Sequence, residues 1–189
     1  MNRPAPSTAG SGPATLAMVA VGGALLLVRL WLPAFGATGR TIGLVAVLVA
    51  ILAGSLIVPV PDDRARLRPR LVLAIGLAAF GLALVTGGRP VPAPYVAWAL
   101  PLSLLAAVAE EALFRRAAYG ALQRHGAVVA IGLTALAFAL VHVPLYGVAV
   151  FPVDLGAGLL LSWQRWAAGT WTVPAATHGA ANLLMTVLR

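Results

Sequence analysis

A chain of 189 residues that is 61% hydrophobic and only 10% charged, with a mean hydropathy of +0.96, lies far from the roughly 25% charged content of a water-soluble domain, which excludes a soluble fold and leaves no room for a separate soluble domain. Cysteine is absent, so disulfides, thiolate nucleophiles and cysteine-ligated metals are excluded, and a nucleophile must be water or a hydroxyl. The net charge of +8 comes from 13 basic residues, all arginine, and their placement between apolar runs assigns them to topology signals and anionic lipid headgroups, not to nucleic acid.

Residues 1 to 13 (MNRPAPSTAGSGP) are rich in Pro, Gly and Ser and read as a short disordered cytosolic lead. The run from Ala14 to about Phe35 exceeds the h-region of a signal peptide, about 7 to 15 residues, and reads as a first transmembrane helix. A second run, Thr41 to Val60, ends in PVPDDRARLRPR, a proline-punctuated loop carrying Arg64, Arg66, Arg68 and Arg70. A third covers Leu71 to Gly87, and GGRPVPAP after it reads as a short connection. The fourth starts near Tyr95, is apolar to Ala109 and continues as one long helix through EEALFRRAAYGALQR, turning amphipathic on the way. Runs from Ala127 to Tyr146, from Val148 to Trp163 and from Trp171 to Leu188 complete the set.

Each run approaches the 20 or so residues needed to span a hydrocarbon core. The fold class is therefore all-α, a polytopic transmembrane helix bundle of about seven spans. Threaded alternately, one side collects Arg3, Arg64, Arg66, Arg68, Arg70, Arg116, Arg124 and Arg165, and the other only Arg40, Arg89 and Arg189. Arg29 and Arg115 fall inside helices and count for neither. The positive-inside rule then predicts a cytoplasmic N-terminus and an external C-terminus. All-arginine usage with abundant Ala, Gly and Val is associated with GC-rich bacterial genomes, so the expected location is a bacterial cell membrane. Trp163, Trp166 and Trp171 read as an interfacial aromatic belt, and Gly156, Gly158, Ala175, Ala176 and Gly179 as tight helix contacts.

The acids are Asp62, Asp63, Glu110, Glu111 and Asp154. The first two belong to the arginine-rich loop, and Asp154, after Pro152, reads as a helix N-cap or an interfacial carboxylate. Glu110 and Glu111 end a long apolar run, where each charge costs about 2.5 to 3.5 kcal/mol within hydrocarbon. Arg115, four residues on, can pair with Glu111 on one helical face; the alternative is a charged turn at the membrane interface. His142 (FALVHVP) and His178 (ATHGAANLL) also interrupt apolar runs, whereas His125 (QRHG) sits beside Arg124 in a loop and reads as solvated. Either buried histidine alone reads as an interhelical hydrogen-bond donor. Two of them with a glutamate pair on separate helices point to a buried site. Asn182 shares a helical face with His178 one turn away, and two such donors suit the oxyanion of peptide hydrolysis. A carboxylate base, a histidine that orients water and a His/Asn donor pair make a hydrolytic constellation without a nucleophilic side chain.

EEALFR (Glu110 to Arg115), FALVH (Phe138 to His142) and HGAAN (His178 to Asn182) resemble, in order, the EExxxR, FxxxH and HxxxN motifs of the CAAX-protease and bacteriocin-processing family of intramembrane proteases. The stretch with Phe151, Gly156, Gly158, Trp171 and Pro174 is similar to the family's run before its final histidine. The resemblance covers Pro94 to Leu188 and divides the chain after its lead into N-terminal transmembrane helices (14–93) and a catalytic helix bundle (94–189). It implies that Glu110 activates the attacking water, His142 positions it, His178 with Asn182 stabilises the oxyanion, and Glu111 and Arg115 support the site.

The implied partners are a peptide or protein substrate, whether membrane-associated or not, and the lipid bilayer, with no nucleic acid. Eukaryotic members remove the last three residues of prenylated CAAX proteins; bacterial ones are associated with bacteriocin processing or self-immunity. No cofactor is required and no metal is assigned. Zinc is the alternative, with Glu110, His142 and His178 as three ligands of an open site, although the chain has no HExxH. Two other functions are open at this stage: a non-catalytic immunity or peptide-binding scaffold of the same fold, and a proton-coupled transporter. The latter finds no internal repeat or paired interrupted helices in its support.

Overall fold

The computed structural model describes residues 12–60, 62–86 and 98–187. Most of the N-terminal lead, the GGRPVPAP connection, and Arg3, Arg89 and Arg189 lie outside the described residues. Seven helices and short 3-10 turns make up the described chain, with no strand among these residues. They are α1 (Pro13–Val28), α2 (Gly36–Ile57), α3 (Pro69–Thr86), α4 (Ala99–Glu111), α5 (Ala127–Tyr146), α6 (Phe151–Ala168) and α7 (Thr172–Val187). α4 runs on without a break through a π-helical segment, Ala112–Ala118, and a last turn, Tyr119–Leu122.

Three helices differ in their bounds from the apolar runs. The first helix was expected to reach Phe35 but stops at Val28, and Leu32–Phe35 forms a 3-10 turn. Pro33 is the cause: it has no N–H for the carbonyl four residues back, and its ring crowds that carbonyl. Gly36 then reverses the chain at φ 68°, a conformation open to glycine, so α2 begins five residues before Thr41. The sixth helix, expected over Val148 to Trp163, instead spans Phe151–Ala168. It closes on Gly169 at φ 74°, where a side chain would also run into the backbone of Asp63 to Ala65.

That later end corrects the sorting of charges. Arg165 is no loop residue: it is 1% exposed, its Nε donates to the Arg115 carbonyl at 3.0 Å, and its Nη1 lies 3.3 Å from Asp63 Oδ2. Arg116 is similarly occupied, donating to the carbonyls of Ser55 and Val58 at the end of α2, groups that a helix C-terminus otherwise leaves orphaned. The arginine-rich loop docks on the end of α6, with Asp63 N–H donating to Gly169 O at 2.8 Å, and Arg66 and Leu67 N–H both donating to Ala167 O. This loop and the α6–α7 turn therefore share one end of the bundle.

α5 packs along α6, α4 against α7 and α2, and α3 against α7 and α6. Contact between α5 and α6 depends on Gly158, where a Cβ would lie 3.0 Å from the Ala135 backbone; small residues of this kind let helices approach closely in lipid. One apolar cluster joins α1, α2, α4 and α5 through Leu26, Leu48, Ile51, Ala109, Leu113 and Phe138. The distribution of polarity is otherwise inverted. Glu110, Glu111, Arg115, His142, Gln164 and Arg165 are buried, whereas Ile42, Ile57, Leu82, Val128, Leu140 and Val153 point outward. Exposed apolar surface on this scale marks contact with lipid or a partner, not water. Two segments, Leu32–Ile57 and Ala127–Tyr146, are long and apolar enough to cross a membrane, whereas Pro13–Val28 and Pro69–Ala83 are apolar but shorter.

Candidate active site

Four helices of the second half converge on a cavity of about 750 Å³, and the end of α1 closes it from the other side. α4 contributes Glu110, α5 His142, α6 Asp154, and α7 His178 and Asn182; Arg29 and Arg40 reach it from the first half. Its apolar wall includes Leu30, Leu44, Leu102, Leu145 and Met185. All six residues selected from the sequence are brought together here, Glu111 and Arg115 directly behind the wall.

The two carboxylates of α4 have separate partners. Glu110 Oε1 accepts from Arg29 Nη1 at 2.7 Å, and Glu110 Oε2 lies 3.8 Å from His142 Nε2. The other nitrogen of that ring, Nδ1, is 2.7 Å from the carbonyl of Phe138 one turn back. Since a carbonyl only accepts, Nδ1 carries a proton, and Nε2 is the nitrogen that faces Glu110. Glu111 is fully buried. Its Oε1 lies 2.9 Å from His178 Nδ1 and 3.2 Å from Arg115 Nη1.

Arg115 is fixed on three sides. Besides Glu111, it reaches the Gly158 carbonyl at 3.3 Å, and its guanidinium lies over the Phe138 ring, 4.4 Å from the centroid. Such a desolvated cation over an aromatic face is a favourable contact. The residue sits in the π-helical segment that follows the glutamate pair; π-helical turns within α-helices are frequent at functional sites. Phe138 is the hub, with its ring 4.6 Å from His142 and 5.9 Å from His178 between centroids. The apolar residue of the FxxxH motif thus spaces both histidines.

Asn182 donates from Nδ2 to the Ser103 carbonyl at 3.0 Å, which fixes its amide plane and leaves a second N–H. His178 donates its Nδ1–H to Glu111, so its Nε2 is a donor only when the ring is an imidazolium, a charge that the Glu111 carboxylate balances.

Sequence reasoning missed two residues. Arg29, which in the sequence falls inside an apolar run and counts for neither side, pairs with Glu110; the sequence carries the signal, because an arginine inside an apolar run needs a counter-ion. Asp154 is neither an N-cap, a position held by Val150, nor simply interfacial. It lines the cavity with Oδ2 3.9 Å from His142 Nδ1, because the first turn of α6 packs back on the end of α5. His125 is exposed as expected and accepts from Arg124 Nε at 3.0 Å.

Among the described residues no three histidine or carboxylate side chains are arranged to hold a metal ion. Glu110, the shared member of the candidate zinc set, has one oxygen taken by a guanidinium. No curated protein and no solved structure matches the chain significantly. Residues 92–184 match the family model described as type II CAAX prenyl endopeptidase Rce1-like, and the match begins and ends within a few residues of the stretch over which the resemblance runs, Pro94 to Leu188. This segment, just under half of the chain, holds Glu110, Glu111, Arg115, His142, His178 and Asn182, and through it the chain is similar to the Rce1-like family of type II CAAX prenyl endopeptidases.

Proposed function

We propose that this protein is a multi-pass intramembrane endopeptidase that hydrolyses a peptide bond with water activated by Glu110. The observation that carries the reading is the pair of acceptors facing each other across the cavity, Glu110 Oε2 and His142 Nε2, 3.8 Å apart. One water at hydrogen-bond distance, about 2.8 Å from each, donates one proton to the carboxylate and one to the imidazole. Its lone pair then faces the substrate carbonyl. As the O–C bond forms, Glu110 takes the water's proton. The oxyanion develops beside the free N–H of Asn182 and the Nε2–H of a protonated His178, each donor worth about 10² to 10³ in kcat. Collapse breaks the C–N bond, and the proton held on Glu110 passes to the leaving amine.

Residues 94–189 form the catalytic bundle in this reading, with the helices of residues 14–93 packed around it. In this reading the bundle crosses the bilayer about seven times, which the outward apolar side chains support; the arginine asymmetry of the sequence assigns a cytoplasmic N-terminus, and its composition a bacterial cell membrane. Substrate is a membrane-associated peptide or protein whose apolar part lies against the leucine-lined wall. No metal takes part.

The test is hydrolysis of a peptide library by purified protein in detergent or nanodiscs, wild type beside Glu110→Gln. Cleavage is expected in the wild type and absent in the variant, which keeps the shape and hydrogen bonding of the carboxylate but not its basicity. Cleavage retained by Glu110→Gln refutes the assignment of the base. Loss of wild-type activity on chelation, restored by Zn²⁺, refutes the metal-free mechanism and turns Glu110, His142 and His178 into ligands.

A further inference from the structure

The family match begins at residue 92, but the partner of the proposed base comes from α1. Arg29 is the residue that follows the last turn of that helix. Its side chain is 11% exposed, the Glu110 side chain it meets is 5% exposed, and their 2.7 Å contact is the shortest ion pair of the site. Eighty-one positions of sequence separate the two. Leu26, one turn before Arg29, is packed in the same apolar cluster as Ala109, the neighbour of Glu110, so backbone and side chain of this helix end are both fixed against α4.

We propose that Arg29 is a positioning residue for Glu110: by holding Oε1 it selects Oε2 as the proton acceptor and aims that oxygen at the water shared with His142. A carboxylate with both oxygens free can rotate about its terminal torsion, which is broad, and spends only part of its time with an oxygen opposite His142 Nε2. A charge-assisted hydrogen bond to one oxygen removes that freedom and balances the buried charge without occupying the reacting atom. The N-terminal helices thereby supply part of the machinery, and residues 92–184 alone form an incomplete site. The inference rests on the endopeptidase reading for its catalytic consequence, but not for the pairing itself.

Full-length wild type, Arg29→Ala, Arg29→Lys, Glu110→Gln and the Arg29→Ala/Glu110→Gln double variant serve as the test, each checked for a monodisperse folded state. Arg29→Ala should lose about 10- to 100-fold in kcat, the worth of one hydrogen bond to a charged group, with KM unchanged, because the contact is to the base and not to substrate. Guanidinium chloride at a non-denaturing concentration should restore part of that kcat and do nothing for Glu110→Gln. Arg29→Lys should fall between the two.

Wild-type kcat in Arg29→Ala overturns the proposal, as does a loss that guanidinium does not relieve in folded protein. Thermal unfolding separates this failure from failure of the endopeptidase reading. If the wild type cleaves nothing, that reading fails, yet the pairing still stands if the double variant regains the stability lost by Arg29→Ala. Purely additive destabilisation overturns it.

Discussion

Replacing Glu111 with glutamine should reduce stability far more than an isosteric change usually does. Glu111 and Arg115 are both fully buried and lie 3.2 Å apart, so the variant leaves a guanidinium in the bundle interior without its counter-charge. Removing one partner of a buried ion pair costs about 3 to 5 kcal/mol. For a chain of this size each kcal/mol moves Tm by about 2 to 4 °C, which predicts a fall of about 6 to 20 °C. The Gly158 carbonyl and the Phe138 face offset some of the stranded charge, placing the result nearer the lower figure. Thermal unfolding in one detergent, followed by tryptophan fluorescence, is the assay. The pairing also predicts that Glu111→Gln/Arg115→Met, which removes both charges and fills similar volume, recovers most of the loss. A Tm within a degree or so of wild type for Glu111→Gln, or a double variant as unstable as the sum of its singles, would refute the reasoning. Peptide hydrolysis by Glu111→Gln should fall as well, since His178 loses the carboxylate that balances its imidazolium.

Gly158→Leu should destabilise by at least the 1 to 3 kcal/mol or so typical of overpacking, because already the Cβ would lie 3.0 Å from the Ala135 backbone; unfolding in detergent checks it, and Gly156→Leu, at an open position, is the control that should not. Topology reporters fused at Arg189 and inserted between Arg64 and Arg70 should report opposite sides of the membrane, the loop cytoplasmic; a cytoplasmic reporter at Arg189 means that Phe151–Ala168 does not cross.

The legible part of this molecule was what depends on local pattern. Seven apolar runs become seven helices because a stretch of aliphatic side chains kept from water satisfies its backbone within itself. The motif spacings brought Glu110, His142, His178 and Asn182 to one cavity because each residue sits on a helix whose other faces are apolar. What depends on contact between distant segments was not legible. Arg29 and Glu110 are neighbours only because α1 packs on α4, and nothing in either run names the other. Arg165 falls past the end of an apolar run and reads as a loop charge, yet the arginine-rich loop covers it, and the neighbouring Gln164 donates to Val72 O and Thr177 Oγ1 at 2.8 and 3.0 Å. The end of α1 was legible in principle, since Pro33 is a breaker by chemistry, but the surrounding hydropathy hid it.

With the carboxylates ionised, Glu110, Glu111 and Asp154 bring three negative charges to the cavity and its wall, and Arg29, Arg40 and Arg115 bring three positive ones. Each histidine also lies beside a carboxylate, His142 between Glu110 and Asp154 and His178 on Glu111. One uncompensated charge in so apolar a bundle is costly. On the proposed mechanism, the proton that Glu110 takes from water and the charge that appears on the substrate oxyanion leave the total unchanged, and the low-dielectric interior that makes burial of an extra charge expensive favours this internal transfer.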